Sequence, residues 1–143
     1  RGAAAEVFQP GNHGTTFGGN PLAMRAGLVT LQVMKEEGLL DNARVQGERI
    51  LSGLRAALDG VDGVVDVRGQ GLMMGIELDR PCSAIIRKGL AAGIVFNVTA
   101  ERVIRLLPPL IYRAEHSDLL VERLAPVIRA FLRDTEPAVS RSS

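Results

Sequence analysis

His13-Gly14-Thr15-Thr16-Phe17-Gly18-Gly19-Asn20-Pro21-Leu22-Ala23 sets two hydroxyls, three glycines and a helix start within eleven residues. Glycines accept backbone angles closed to other residues and let a ligand approach the main chain. Asn20 is a good N-cap and Pro21 suits a first helical turn, so a helix begins here. Free N–H groups and the positive end of the helix dipole then lie beside Thr15 and Thr16, which suits a phosphate or a carboxylate. Taken alone, the stretch also describes an ordinary loop leading into a capped helix.

Composition narrows the classes. The 143 residues suffice for one domain of ordinary size with a real core. Apolar residues make up 46% and charged ones 23%, a globular balance. The formal net charge of +1 gives no electrostatic reason to bind nucleic acid or an anionic membrane. No apolar run is long enough to span a bilayer, and the first residues lack the order of a signal peptide. Cys82 is the single cysteine, which excludes an internal disulfide and fits a reducing compartment. Two histidines argue against a self-contained zinc site, and the absence of Trp argues against a base-stacking platform.

Outward from the opening stretch, Gly2 to Gly11 reads as a loose entry segment. A helix is predicted from Pro21 to Glu37, with Leu22, Ala26, Val29 and Val33 at helical spacing. Gly38 interrupts it, and a second helix restarts at Leu39-Leu40-Asp41. That helix turns Leu40, Ala43, Ile50, Leu51, Leu54 and Leu58 inward and Arg44, Glu48 and Arg55 outward. Both stripes read as core. After a turn over Asp59 to Gly63, Val64 to Val67 reads as a short strand and Arg68-Gly69-Gln70-Gly71 as a tight connection. Leu72, Met74, Ile76 and Leu78 then alternate with Met73, Gly75, Glu77 and Asp79, the period of a half-buried strand, so a hairpin is expected. Arg68, at a strand end, reads as a functional residue or, more commonly for such a position, as a solvated or structural ion-pair partner.

Ser83 is expected to cap a helix from Ala84 to Ala92, with Gly93 closing it. Ile94 to Val98 and Val103 to Leu107 read as strands around a turn over Thr99 to Arg102. A last helix starts at His116 or Ser117 and carries Leu120, Leu124, Val127, Ile128, Phe131 and Leu132 on one face, with Pro126 inside it. From Asp134 the tail is Pro/Ser-rich and reads as frayed.

Val103-Ile104-Arg105-Leu106-Leu107-Pro108-Pro109-Leu110 is the second stretch with chemistry in it. Flanked by apolar residues before a diproline, Arg105 is expected to be partly buried, and a buried charge needs a partner. Its planar guanidinium matches a carboxylate through two parallel hydrogen bonds, which lysine cannot make. Either a substrate carboxylate or a permanent internal salt bridge would satisfy it.

HGTTFGGNPLA, VRGQGLMMGIEL and VIRLLPPL together resemble segments of the class III (subgroup II) pyridoxal-phosphate aminotransferases, most of all the acetylornithine/ornithine aminotransferase branch. The resemblance covers roughly residues 10 to 132. It implies an α+β chain: the C-terminal portion of a fold-type I enzyme, with a small antiparallel sheet covered by helices. Residues 1–38 would be the end of the cofactor-binding large domain with its interdomain helix, 39–133 a small α+β domain and 134–143 a flexible tail. By motif position, Thr16 would hold the cofactor phosphate of the neighbouring subunit in a homodimer, Thr15 would lie next to the substrate, and Arg105 would grip a substrate carboxylate. Family members run to several hundred residues, and this chain starts at Arg1, so it reads as their last third.

The same resemblance sets limits. Such enzymes hold pyridoxal 5'-phosphate on a lysine, and neither Lys35 nor Lys88 stands in that lysine's context, which belongs upstream of His13. The chain alone is therefore expected not to transaminate. The match favours N-acetylornithine as amino donor and 2-oxoglutarate as acceptor, in a cytoplasmic enzyme of arginine biosynthesis. An ornithine, succinylornithine or 4-aminobutyrate aminotransferase, or a glutamate-semialdehyde aminomutase, is the alternative within the scaffold. A non-catalytic α+β interaction domain is the alternative outside it, and fold likeness does not settle a substrate.

Overall fold

The computed structural model describes residues 2–134, so the tail beyond Asp134 lies outside the described residues. Contacts divide the chain into one unit ending at Glu37 and another beginning at Gly38.

The first unit holds a 3-10 segment over Gly2–Val7, a loop, and helix α1 over Pro21–Glu36. The start of α1 is chemically determined. Asn20 stays extended and its Oδ1 accepts the Ala23 N–H at 3.0 Å, while Pro21 opens the helix. The apolar stripe of α1 forms no core, contrary to expectation. Leu22, Val29 and Val33 are 80%, 41% and 37% exposed, and no residue of α1 is buried. Helical period identifies an apolar face; it does not supply the surface that covers it.

The second unit is α+β. Its elements are α2 (Leu39–Leu58), β1 (Val64–Gln70), β2 (Met73–Leu78), α3 (Ile85–Ala91), β3 (Asn97–Thr99), β4 (Val103–Leu106) and α4 (Ala114–Asp134). The four strands form one antiparallel sheet in the order β1-β2-β4-β3. Helix α2 lies against β1 and β2, and α4 packs along α2 and α3. One core joins Ile50, Leu54 and Leu58 of α2 to Met74, Ile76 and Leu78 of β2 and to Leu124, Ile128 and Phe131 of α4.

Local departures have local causes. β1 runs on to Gln70, so Arg68-Gly69-Gln70 is strand and the hairpin turns at Gly71-Leu72. Leu39 is buried and Leu40 is 70% exposed, one position out of phase with the expected stripe. Ala84, without a side-chain cap, precedes α3 in place of Ser83, and β3 starts only at Asn97. α4 begins at Ala114, two residues before His116, whose Nδ1 accepts the Arg113 N–H at 3.3 Å. Ser117 is consequently inside the helix and fully buried, donating its hydroxyl to Gln46 Oε1 at 2.9 Å. That pair ties α4 to α2 with both polar groups satisfied, as burial demands.

Candidate functional site

The candidate residues fall in two places, one in each unit. In the first, Thr15 and Thr16 sit on an exposed loop between the 3-10 segment and α1. The loop is shaped by its glycines. A Cβ on Gly18 would lie 2.1 Å from the Thr15 methyl, and Gly19 adopts φ +75°. Asn20 Nδ2 donates to the Phe17 carbonyl and closes the loop onto the helix start. Neither threonine hydroxyl is hydrogen-bonded among the described residues, so both are available to a ligand.

The second place is the open face of the sheet. Strand register sets Arg68 opposite Gly75, Gly75 opposite Arg105, and Arg105 opposite Asn97, in one row across four strands. Adjacent strands are about 4.8 Å apart, so the two arginines flank a bare glycine across about 10 Å. A groove of ≈ 450 Å³ lies here, lined among others by Arg68, Met73, Gly75, Thr99, Val103 and Arg105. Gly75 leaves it open: a Cβ there would meet only Val103, at 3.2 Å.

The expectation of a partly buried Arg105 does not hold. Ile104 and Leu106 turn into the core, and a period of two sends Arg105 to the open face, where it is exposed. It forms no ion pair among the described residues. Its one hydrogen bond there runs from Nε to the neutral Asn97 Oδ1, at 3.1 Å. Arg68 is different. Its Nη1 donates to Asp66 at 2.9 Å and to Glu77 at 2.8 Å, and those bonds, Asp66's first, raise its pKa above the ordinary arginine value. Of the two arginines facing the groove, Arg68 is neutralised by described residues and Arg105 by none of them.

Three features positioning Arg105 escaped sequence reasoning. The turn after β3 takes positive φ at Ala100 and Glu101 (48° and 62°), and its carbonyls at Glu101 and Arg102 accept the N–H groups of Cys82 and Leu78, each at 2.9 Å. Those bonds tie the turn between β3 and β4 to the end of β2 and the segment after it. Beyond the diproline, Asn42 Nδ2 donates to the carbonyls of Leu110 and Tyr112, at 2.7 and 2.9 Å, pinning the segment that follows β4. Asn97 itself had no motif around it; only strand pairing could reveal it. Cys82 is fully buried and burial pushes its thiol up to about 11, so it offers no nucleophile.

The family model of class III aminotransferases matches residues 1–128. The chain belongs to that family. Among class III aminotransferases, the chain is 53% identical over 131 residues to acetylornithine aminotransferase 1 of Bordetella bronchiseptica, covering 92% of this chain and 33% of that enzyme. An ornithine aminotransferase from Plasmodium yoelii superposes with a TM-score of 0.79 at 34% identity, over 89% of this chain and 34% of that one. The ornithine aminotransferase of Toxoplasma gondii crystallized with oxidized glutathione, with PLP partially occupying its active site, gives a TM-score of 0.78 at 34% identity, over 91% of this chain and 32% of that one. The chain thus spans about a third of the length of the aminotransferases it matches.

Proposed function

We propose that this chain is the C-terminal third of a pyridoxal 5'-phosphate-dependent aminotransferase that moves the amino group of N-acetylornithine to 2-oxoglutarate. The observation that carries the reading is the 53% identity, over 92% of the chain, to an acetylornithine aminotransferase. On this reading residues 1–38 end the large cofactor domain, 39–133 are the small domain, and the enzyme is a cytoplasmic homodimer of arginine biosynthesis. The exposed apolar residues of the first unit, Phe17, Leu22 and Leu31 among them, support a covering surface from the rest of that assembly.

The residues present fit the cofactor. Two adjacent uncommitted hydroxyls before a glycine pair form a donor set suited to a phosphate. Thr16 would donate to the phosphate of the neighbouring subunit's cofactor, with Thr15 on the substrate side. When bound, pyridoxal phosphate acts as electron sink and carries the amino group between the two substrates. Arg105 binds a carboxylate of the donor or the oxo-acid and orients it. Gly75 keeps the space beside the guanidinium open.

The test is made on the complete open reading frame. Its visible cofactor absorption should change fastest with N-acetylornithine when that amine is compared with ornithine and 4-aminobutyrate. A faster response to another amine keeps the class and changes the substrate. No cofactor absorption, even with added pyridoxal phosphate, leaves the interaction-domain reading in its place. Thr16→Ala should weaken cofactor binding by about 1–3 kcal/mol, the size of one hydrogen bond to a charged group. Equilibrium dialysis of the released cofactor measures it, and wild-type affinity in the mutant would remove Thr16 from the site.

A further inference from the structure

We infer that Asn97 is the positioning residue of the carboxylate clamp: it engages Arg105 Nε and leaves the two terminal nitrogens as the edge that meets substrate. The inference rests on the reading of Arg105 as the carboxylate ligand. An arginine can grip a carboxylate by its side edge, Nε with one Nη, or by its end edge, through both Nη atoms. Nε carries a single N–H. Asn97 Oδ1 accepts it at 3.1 Å, so the side edge is taken. The end edge remains, and the guanidinium plane is held by a neighbour in the adjacent strand.

The surroundings single out Asn97 for this task. It stands directly opposite Arg105 in the β3–β4 register, and on the other side of Arg105 the facing residue is Gly75, which has no side chain to offer. The bond to Asn97 is the only hydrogen bond of the Arg105 side chain among the described residues. The choice of an amide matters as well. A carboxylate at this position would hold Nε equally, but would neutralise the clamp and repel the substrate's own carboxylate, as Asp66 and Glu77 neutralise Arg68. Asn97 supplies an acceptor without the charge. Its side chain is exposed and its part in the sheet is made by its backbone, so truncation should leave the fold alone.

The experiment is a double-mutant cycle in the complete holoenzyme, read as KM and kcat for N-acetylornithine and 2-oxoglutarate. Asn97→Ala should raise KM about tenfold with kcat within about twofold, because binding rather than chemistry is weakened. Asn97→Gln should recover part of the loss, and Asn97→Asp should be no better than alanine. In an Arg105→Ala background, Asn97→Ala should add nothing. The thermal midpoint of Asn97→Ala should equal that of wild type. A wild-type KM in Asn97→Ala, with KM raised in Arg105→Ala, overturns this inference alone. Full additivity in the cycle does the same, because Asn97 would then act elsewhere. A wild-type KM in Arg105→Ala overturns the clamp reading together with this one.

Discussion

Arg105→Ala in the complete enzyme should raise KM for carboxylate substrates by roughly two orders of magnitude. Two parallel charge-assisted hydrogen bonds are lost at once, and the exposure of Arg105 to solvent limits their sum to about 3 kcal/mol. The described residues supply no substitute. Among the described residues Arg105 has only the neutral Asn97 as a hydrogen-bond partner, and Arg68, across the bare Gly75, is already committed to Asp66 and Glu77. Arg105→Lys should recover the charge and not the fork, leaving KM about tenfold above wild type. Cofactor absorption should be unchanged in both variants, which separates this effect from loss of cofactor. Steady-state kinetics with N-acetylornithine and with 2-oxoglutarate decide the matter. A KM within twofold of wild type in the alanine variant would make Arg105 a surface residue of the sheet.

Gly47→Ala is expected to be the most damaging small change to the fold. Gly47 is buried where α2 crosses the hairpin turn, and a Cβ there would sit 2.0 Å from the Gly71 carbonyl oxygen and 2.5 Å from its carbon. Those are backbone atoms, which cannot swing aside as a side chain can. Helix α2 would have to lift from the turn, pulling Ile50, Leu51 and Leu54 out of register with the core. Alanine gains about 1 kcal/mol of helix propensity over glycine, and overpacking against backbone costs about 3 kcal/mol or more. The overlap wins. Thermal unfolding of the complete enzyme, followed by circular dichroism, should show a clearly lowered midpoint. A midpoint equal to wild type would mean that α2 and the turn do not approach so closely. Gly47 drew no notice in the sequence because nothing local marks it: its partner lies 24 positions away, at Gly71.

The contrast between Arg105 and Asn97 measures how much of the site was legible. The VIRLLPPL stretch, with its resemblance to class III aminotransferases, singled out Arg105 as a candidate. Its surroundings were misread, because flanking apolar residues suggested burial where strand alternation places the residue outside. Asn97 was silent. It matters through a cross-strand register, and register is a property of two segments together. The same holds for Ser117 and Gln46, each unremarkable alone, which meet across α4 and α2.

Where periodicity was strong, the local reading needed no tertiary help. Leu72, Met74, Ile76 and Leu78 are all buried, as are Leu120, Leu124, Ile128, Phe131 and Leu132 of α4. Sequence alone also determined the family, the helix start at Asn20-Pro21 and the existence of the hairpin, because caps, glycines and apolar periods act over a few residues. Tertiary structure decided what distance along the chain conceals: the row that joins Arg68, Gly75, Arg105 and Asn97, and the close approach of Gly47 to Gly71. It also decided that no residue of α1 is buried among the described residues, despite its apolar stripe. A periodic pattern states which face is apolar, and only packing states what, if anything, meets it.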